Sequence, residues 1–233
     1  MRSALAFLTV LGGPRPLTPR ALRWFPVIGA LVGALVGGVW WAGDLVLSAL
    51  LAAGLAVTAD LTLTGLLHAD GLADSADGLL AHTDRERRLA IMRAPDIGAY
   101  GVTVVVIVIV LRVAALASQP VSILLVAAVW CTSRTVAAVT PAFVPYARDQ
   151  GLASSLLGER APRWPALAVV GATALAVAGR GVAGGIGVAA TVAVAVAFVA
   201  VARRRLGGFT GDVLGAAIIL AETAGLVAAS AKW

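Results

Sequence analysis

The chain alternates long apolar stretches with short polar ones. Seven windows, near residues 25-43, 45-67, 97-117, 121-140, 165-180, 183-202 and 213-231, are apolar nearly throughout. About 17 to 25 helical residues cross a hydrocarbon core of roughly 30 Å. The pattern therefore predicts an all-α, polytopic integral membrane bundle of about seven transmembrane helices, a single membrane domain over 1-233. The fifth window is short and closed by Arg180, so a six-span chain with a re-entrant hairpin stays open. Three polar segments stand apart: an interfacial lead-in at 1-24, a segment at 68-96, and a Gly-rich loop at 206-212.

Composition agrees with the pattern. At 233 residues, 60% hydrophobic and 13% charged, with mean hydropathy +0.96, the chain is too apolar for an ordinary soluble domain. The net charge of +6 does not point to nucleic acid, because the cations are sorted by loop. Counting loops alternately, Arg2, Arg15, Arg20 and Arg23, then Arg85, Arg87, Arg88 and Arg93, then Arg148, Arg160 and Arg163, then Arg203, Arg204 and Arg205 fall on one side. Only Arg180 and Lys232 fall on the other. The positive-inside rule then predicts a cytoplasmic N-terminus and places segments 68-96 and 206-212 in the cytoplasm. The single cysteine, Cys131, excludes an intramolecular disulfide.

The most unusual stretch is His68-Ala69-Asp70-Gly71-Leu72-Ala73-Asp74-Ser75-Ala76-Asp77-Gly78. In a helix, Asp70, Asp74 and Asp77 fall within an arc of about 60°, a stripe roughly 10 Å long. Three like charges on one face repel unless a cation lies against them. Carboxylate oxygens suit Mg²⁺ or Ca²⁺. A solvated acidic turn is the alternative.

Other polar residues are weighed in pairs. Thr83-Asp84-Arg85-Glu86 has a capping-box form and opens a short basic helix ending at Pro95. Its arginines either anchor to lipid or turn toward the acidic stripe and bind phosphate. Asp96 can cap the third span. Asp60, inside the second span, is either a partner of Arg112 or Arg134 or a substrate group. Arg112 is read as snorkelling from the outer end of the third span. Arg134, among Cys131, Thr132, Ser133 and Thr135, is paired with a substrate phosphate or Asp60. Glu222 needs a partner such as Arg134 or a polar cavity. Gly207, Gly208 and Gly211 permit a tight loop around Thr210, whose backbone N–H groups, with the helix N-terminus and Arg203, Arg204 and Arg205, form a candidate anion cradle; a positive-inside stop signal with Asp212 as helix cap is the alternative. Gly29, Gly33 and Gly37 give the first span a small-residue packing face, and the loop 141-164 is long enough to cover a site.

Metal-bound carboxylates beside arginines suit phosphoryl or pyrophosphate chemistry. No Walker A motif, HExxH zinc spacing or Ser-His-Asp arrangement is present. Residues Thr64 to Gly78 closely resemble the hallmark segment of the cobalamin synthases, the adenosylcobinamide-GDP ribazoletransferases. Phe7-Leu8-Thr9, Phe25-Pro26-Val27-Ile28-Gly29, Ile91-Met92-Arg93 with Ile97-Gly98-Ala99-Tyr100-Gly101, and Gly208 through Ala216 with Glu222 resemble the same family in the same order.

The resemblance implies a Mg²⁺-dependent membrane enzyme in which a ribose hydroxyl of α-ribazole, or of its 5′-phosphate, attacks adenosylcobinamide-GDP and expels GMP. By that likeness Asp70, Asp74, Asp77 and Asp212 hold metal. Asp60, Asp96 and Glu222 are weak metal candidates. Asp96 is weak because many members of that family carry an Asp directly after the basic residue of the Ile-Met-Arg run, where this chain has Ala94-Pro95. Arg85, Arg88, Arg93, Arg134, Gly208, Thr210 and Gly211 are candidates for binding substrate. A carboxylate or His68 takes the hydroxyl proton; in a helix His68 points about 160° from the stripe, which favours a carboxylate. The implied partners are the corrinoid nucleotide, the ribazole and the lipid bilayer, with a homo-oligomer or association with other cobalamin-pathway enzymes left open. Two other readings are a CDP-alcohol phosphotransferase, whose acidic signature fits the spacings here poorly, and a secondary transporter, which needs inverted repeats that the chain lacks.

Overall fold

The computed structural model describes residues 1-13, 18-148, 151, 154 and 163-232. Arg15, Asp149, Glu159 and Arg160 lie outside the described residues. The described residues are helical with no strand, and one isolated parallel bridge joins Tyr146 to Phe209. The helices are α1 (Arg2–Leu8), α2 (Phe25–Asp44), α3 (Ala49–Leu63), α4 (Leu67–Leu80), α5 (Arg85–Ile91), α6 (Ala99–Ala117), α7 (Ile123–Val139), α8 (Ala168–Leu206) and α9 (Gly211–Ser230).

Among the described residues, five helical stretches are long and apolar enough to cross a membrane, six if the bent pair α3 and α4 counts as one span. The expectation of seven differs from this at α8. Windows 165-180 and 183-202 fall in one helical run whose only non-helical residue is Gly181, at φ 58° and ψ −141°. There the chain doubles back: a Cβ on Gly184 would strike the carbonyl of Ala176, eight residues earlier. In a straight helix those residues stand about 12 Å apart along the axis.

Small residues set the closest packing. A Cβ on Gly33 would lie 2.7 Å from both the Val126 carbonyl oxygen and Trp130 Cβ, and one on Gly37 would lie 2.9 Å from Ile123 Cα. The glycine stripe of α2 thus seats directly on the α7 backbone, as the four-residue spacing predicts. Gly187 of α8 and Gly225 of α9 make a second close approach, with Gly225 carbonyl oxygen 2.9 Å from the Cβ position of Gly187.

The second window does not continue straight into the acidic stretch. Gly65 (φ 58°) and Leu66 (φ 61°) both adopt left-handed backbone, and the Leu66 N–H returns to the Leu61 carbonyl at 2.9 Å. Left-handed Leu66 costs about 1–2 kcal/mol. The result is an 87° bend between α3 and α4. Helix α4 therefore lies across one end of the bundle instead of along it. Its first half meets α9, where Gly71 abuts Asp212. Its second half meets α6, where both Asp77 carboxylate oxygens accept backbone N–H groups, from Gly98 at 2.7 Å and Gly101 at 2.9 Å.

That bond corrects one expectation: Asp77, not Asp96, caps α6, and Asp96 is exposed. The capping-box region is likewise simpler than expected, with Asp84 Oδ1 accepting the Arg87 N–H at 2.8 Å. The end of the bundle carrying α4 also carries Arg85, Arg88 and Arg205, which bond to carbonyls there. Arg180 sits at the opposite end, donating to Ala229 at 3.3 Å.

Candidate active site

Three segments that the bend brings together line a cavity of about 180 Å³. Leu67, His68 and Asp70 come from the first turn of α4, and Gly211, Asp212 and Gly215 from the start of α9. Tyr146 and Arg148 come from the extended stretch between α7 and α8. This stretch is fastened to the Gly-rich loop by Phe209 N–H to the Pro145 carbonyl at 2.9 Å and Ala147 N–H to the Phe209 carbonyl at 2.8 Å. A Cβ on Gly208 would strike that same Pro145 carbonyl, so only glycine permits the contact. Phe7, Phe25, Ala137 and Ile218 complete the apolar walls.

The polar end is charged in both senses. Arg148 Nη2 lies 2.8 Å from Asp212 Oδ2 and also donates to the Met92 carbonyl at 3.2 Å. Thr210, fully buried, accepts the Val213 N–H at 3.2 Å and so caps α9. Its hydroxyl lies 3.3 Å from Asp212 Oδ2. Half-buried Asp74, one turn beyond Asp70, has its carboxyl pushed up to about 7 by burial first, then by the neighbouring Asp212 and Asp70 charges; Arg148 opposes the rise. A carboxylate crowded by two others in partial burial is the electrostatic setting that a divalent cation relieves. All the donors are hard oxygens, as Mg²⁺ requires. The donor set thus fits the metal chemically, although among the described residues no three acidic, His or Cys side chains converge tightly enough to enclose an ion.

Several expected site residues are placed elsewhere. Asp77 is turned toward α6, and it lines a separate surface hollow together with Asp96 and Arg87. Its seven-residue offset from Asp70 puts it far enough along α4 to meet a different helix. Arg85 donates to the Leu206 and Ala147 carbonyls at 2.7 and 3.0 Å. Arg88 donates to the Gly78 and Leu79 carbonyls at 3.0 and 2.6 Å. Both arginines thus occupy carbonyls left open at a helix C-terminus or in a loop, and neither lines the cavity. Arg93 is exposed. Of the expected anion cradle, Gly211 reaches the cavity, while Gly208 and Thr210 hold the loop in shape.

Arg134, Asp60 and Glu222 form a buried layer with Arg112 beneath the cavity. Arg112 lies 3.0 Å from Asp60 Oδ2 and 2.6 Å from Glu222 Oε2. Arg134 pairs with Glu222. Trp130 Nε1 donates to Asp60 Oδ1 at 2.8 Å, and its ring faces the Arg112 guanidinium at 4.9 Å. All four charged side chains are at most 4% exposed. Arg112 therefore does not snorkel; two carboxylates in the interior hold it there. The layer is electrically balanced, with two cations and two anions, so neither Asp60 nor Glu222 is free for metal. Arg134 lies one turn from Ala137 and Glu222 one turn from Ile218, so the layer underlies the cavity floor.

His68 lines the cavity beside Asp70, contrary to its expected separation from the stripe, because the cavity wraps around the first turn of α4. It is 4% exposed, and its Nε2 has no hydrogen-bond partner among the described residues. The contributions of Arg148 and Tyr146, and of Phe7 and Phe25 as walls, were not legible from spacing. The sequence signals were that Phe7 and Phe25 belong to segments bearing the family resemblance and that Tyr146 and Arg148 lie in the loop 141-164, long enough to cover a site.

Several helices long and apolar enough to cross a membrane, with an acid- and arginine-lined cavity at one end, mark a multi-pass membrane protein. The sequence profile of the cobalamin-5-phosphate synthases matches residues 1–230. The chain belongs to that family. A protein of Alkalilimnicola ehrlichii named adenosylcobinamide-GDP ribazoletransferase is 41% identical over 241 aligned positions, covering 96% of this chain and 92% of the relative. Proteins of the same name from Stutzerimonas stutzeri and Shigella boydii are 38% and 35% identical, each covering 96% of this chain and 94% and 96% of their own length. No solved structure matches the chain.

Proposed function

We propose that this protein joins α-ribazole, or its 5′-phosphate, to adenosylcobinamide-GDP and releases GMP, with the reacting end of the bundle facing the cytoplasm. The observation that carries the reading is the cavity in which Asp70 and Asp212 face Arg148, in a chain whose relatives bear that activity in their names. The clustering of Arg85, Arg88 and Arg205 around α4, opposite Arg180, supports the cytoplasmic orientation.

The reaction is a displacement at phosphorus. A ribose oxygen forms a bond to the cobinamide-linked phosphorus while the bond from that phosphorus to the bridging oxygen breaks, and GMP leaves with that oxygen. The hydroxyl proton passes to a carboxylate of α4. Asp70, Asp74 and Asp212 are the residues that would hold Mg²⁺, which neutralises charge on the pyrophosphate. Arg148, already beside Asp212, orients the departing phosphate. Asp77 keeps α4 in register with α6, and the buried ionic layer keeps α6, α7 and α9 in place beneath the site.

The test is GMP release by purified protein in lipid nanodiscs supplied with adenosylcobinamide-GDP, α-ribazole and Mg²⁺. The expected outcome is GMP and corrinoid product in equal amounts. A folded preparation that makes no corrinoid product, yet makes lipid from CDP-diacylglycerol and an alcohol, overturns the reading.

A further inference from the structure

The arginines that end α8 do not line the cavity. Arg205 donates to the Leu79 carbonyl, whereas Arg203 lines a separate groove between α7 and α8. We propose that this groove is a binding site for one anionic phospholipid, with an acyl chain lying between the two helices and the phosphate held by Arg203 and Arg163 at the membrane interface.

Two stripes of the same period build the groove. Val136, Val139, Thr140 and Phe143 come from α7 and the turn that follows it, and Val196, Val199, Ala200 and Arg203 come from α8. Both follow the i, i+3, i+4, i+7 pattern of a single helix face. The Phe143 N–H bonds to the Thr140 carbonyl at 3.0 Å, which carries the first stripe past the end of α7. Seven helical residues rise about 10 Å, some two-thirds of the roughly 15 Å hydrocarbon depth of one leaflet. The hydroxyl of Thr140 already donates to the Val136 carbonyl at 2.8 Å, so the walls between the helices offer hydrocarbon and no free donor. Val196 and Phe143 are exposed on the outside of the bundle, and a lipid chain reaches the groove directly.

The charge at one end decides which lipid. Arg203 is exposed in the last turn of α8, and the Arg163 guanidinium stands over the Phe143 ring at 5.1 Å. Among the described residues no carboxylate pairs with either arginine. Trp164, next to Arg163, is 56% exposed, and exposed Trp side chains mark the membrane–water boundary. Two cations at the head of an apolar groove at that level complement a phosphate attached to an acyl chain, as basic pockets between spans do for anionic head groups. A zwitterionic lipid brings its own cation and gains less. The groove also backs onto the cavity: Val144 lines the one while Tyr146 and Arg148 line the other. A seated lipid therefore braces the stretch that presents Arg148 to the acidic groups.

The experiment counts lipids bound to the full chain in detergent by native mass spectrometry, during titration with phosphatidylglycerol or with phosphatidylcholine of the same acyl chains. One phosphatidylglycerol is expected to be retained, at least about fivefold more tightly than phosphatidylcholine. Arg203→Gln should weaken that binding about fivefold, and Arg163→Gln added to it by more than about tenfold in all. Arg204→Gln removes the same charge from a neighbour outside the groove and should change it less than about twofold. Val196→Trp obstructs the groove without altering charge and should displace the lipid; if it fails to fold, the comparison of Arg203→Gln with Arg204→Gln decides. Equal binding of the two lipids, equal effects of Arg203→Gln and Arg204→Gln, or displacement by glycerol 3-phosphate, which has the phosphate but no chain, overturns the proposal. So does a spectrum of paired chains that separate in Val196→Trp with no lipid lost, which makes the groove a contact between copies.

Discussion

Replacing Glu222 by Gln tests the buried ionic layer most directly. In the parent, Glu222 lies 2.6 Å from Arg112 and also pairs with Arg134, and Asp60 lies 3.0 Å from Arg112. The substitution keeps the shape and removes one of two negative charges. Two guanidiniums then share the single carboxylate of Asp60. At about 4 Å and an effective dielectric near 20, one charge contact is worth roughly 4 kcal/mol. Two such contacts are lost, and the desolvation cost of Glu222 is recovered. The net is about 3–5 kcal/mol, the range found when one partner of a buried pair is removed. Thermal unfolding in nanodiscs, followed by circular dichroism, should show a large fall in midpoint for Glu222→Gln. Adding Arg134→Gln restores one cation to one anion, so the double variant should recover more than half of the loss. A Glu222→Gln protein that unfolds with the parent, or a double variant as unstable as the sum of the singles, would show that the layer is not a coupled, charge-balanced unit.

Three further outcomes follow from single contacts. Asp77→Ala leaves the Gly98 and Gly101 N–H groups without their acceptor and should cost about 1–2 kcal/mol in unfolding; Asp77→Asn, which keeps one oxygen, should cost less than half of that. Gly33→Val places side-chain atoms where Val126 and Trp130 already stand and should abolish monodisperse protein on size exclusion, whereas Gly38→Ala, with nothing within 4 Å of its Cβ position, should elute as the parent does. For the proposed metal, protons and Mg²⁺ compete for Asp74, whose carboxyl titrates at about 7 without metal. The Mg²⁺ concentration giving half-maximal GMP release should therefore rise as pH falls below about 7, and a pH-independent value refutes a metal role for Asp74.

Local physics was readable in the chain. Apolar runs marked the helices, and the four-residue glycine spacing of α2 marked its packing face. Each depends only on residues within a few turns of one another, where helical periodicity fixes which side chains share a face. The alternating arginines foretold which ends of the helices lie together, since Arg85, Arg88 and Arg205 meet around α4.

The need of a buried charge for a counter-ion named Arg112 or Arg134 for Asp60 and Arg134 for Glu222. The structure pairs Asp60 with Arg112 and Glu222 with both arginines. Spacing could not choose among such partners. The Arg112–Glu222 contact spans 110 positions and the Arg85–Leu206 bond 121, and no local period encodes either. Asp77 and Asp70 look equivalent in sequence. Only the 87° bend at Gly65 and Leu66 lays α4 across the bundle, so that one carboxylate caps α6 and the other faces the cavity. The same bend explains why Phe7 and Tyr146, distant in the chain, share a cavity with His68. Sequence determined the helices and their charged faces, and tertiary packing decided which of those charges are structural and which remain available to a substrate. The reason is physical: a buried ion needs a counter-ion wherever the fold brings one, and that choice is made between helices, not within them.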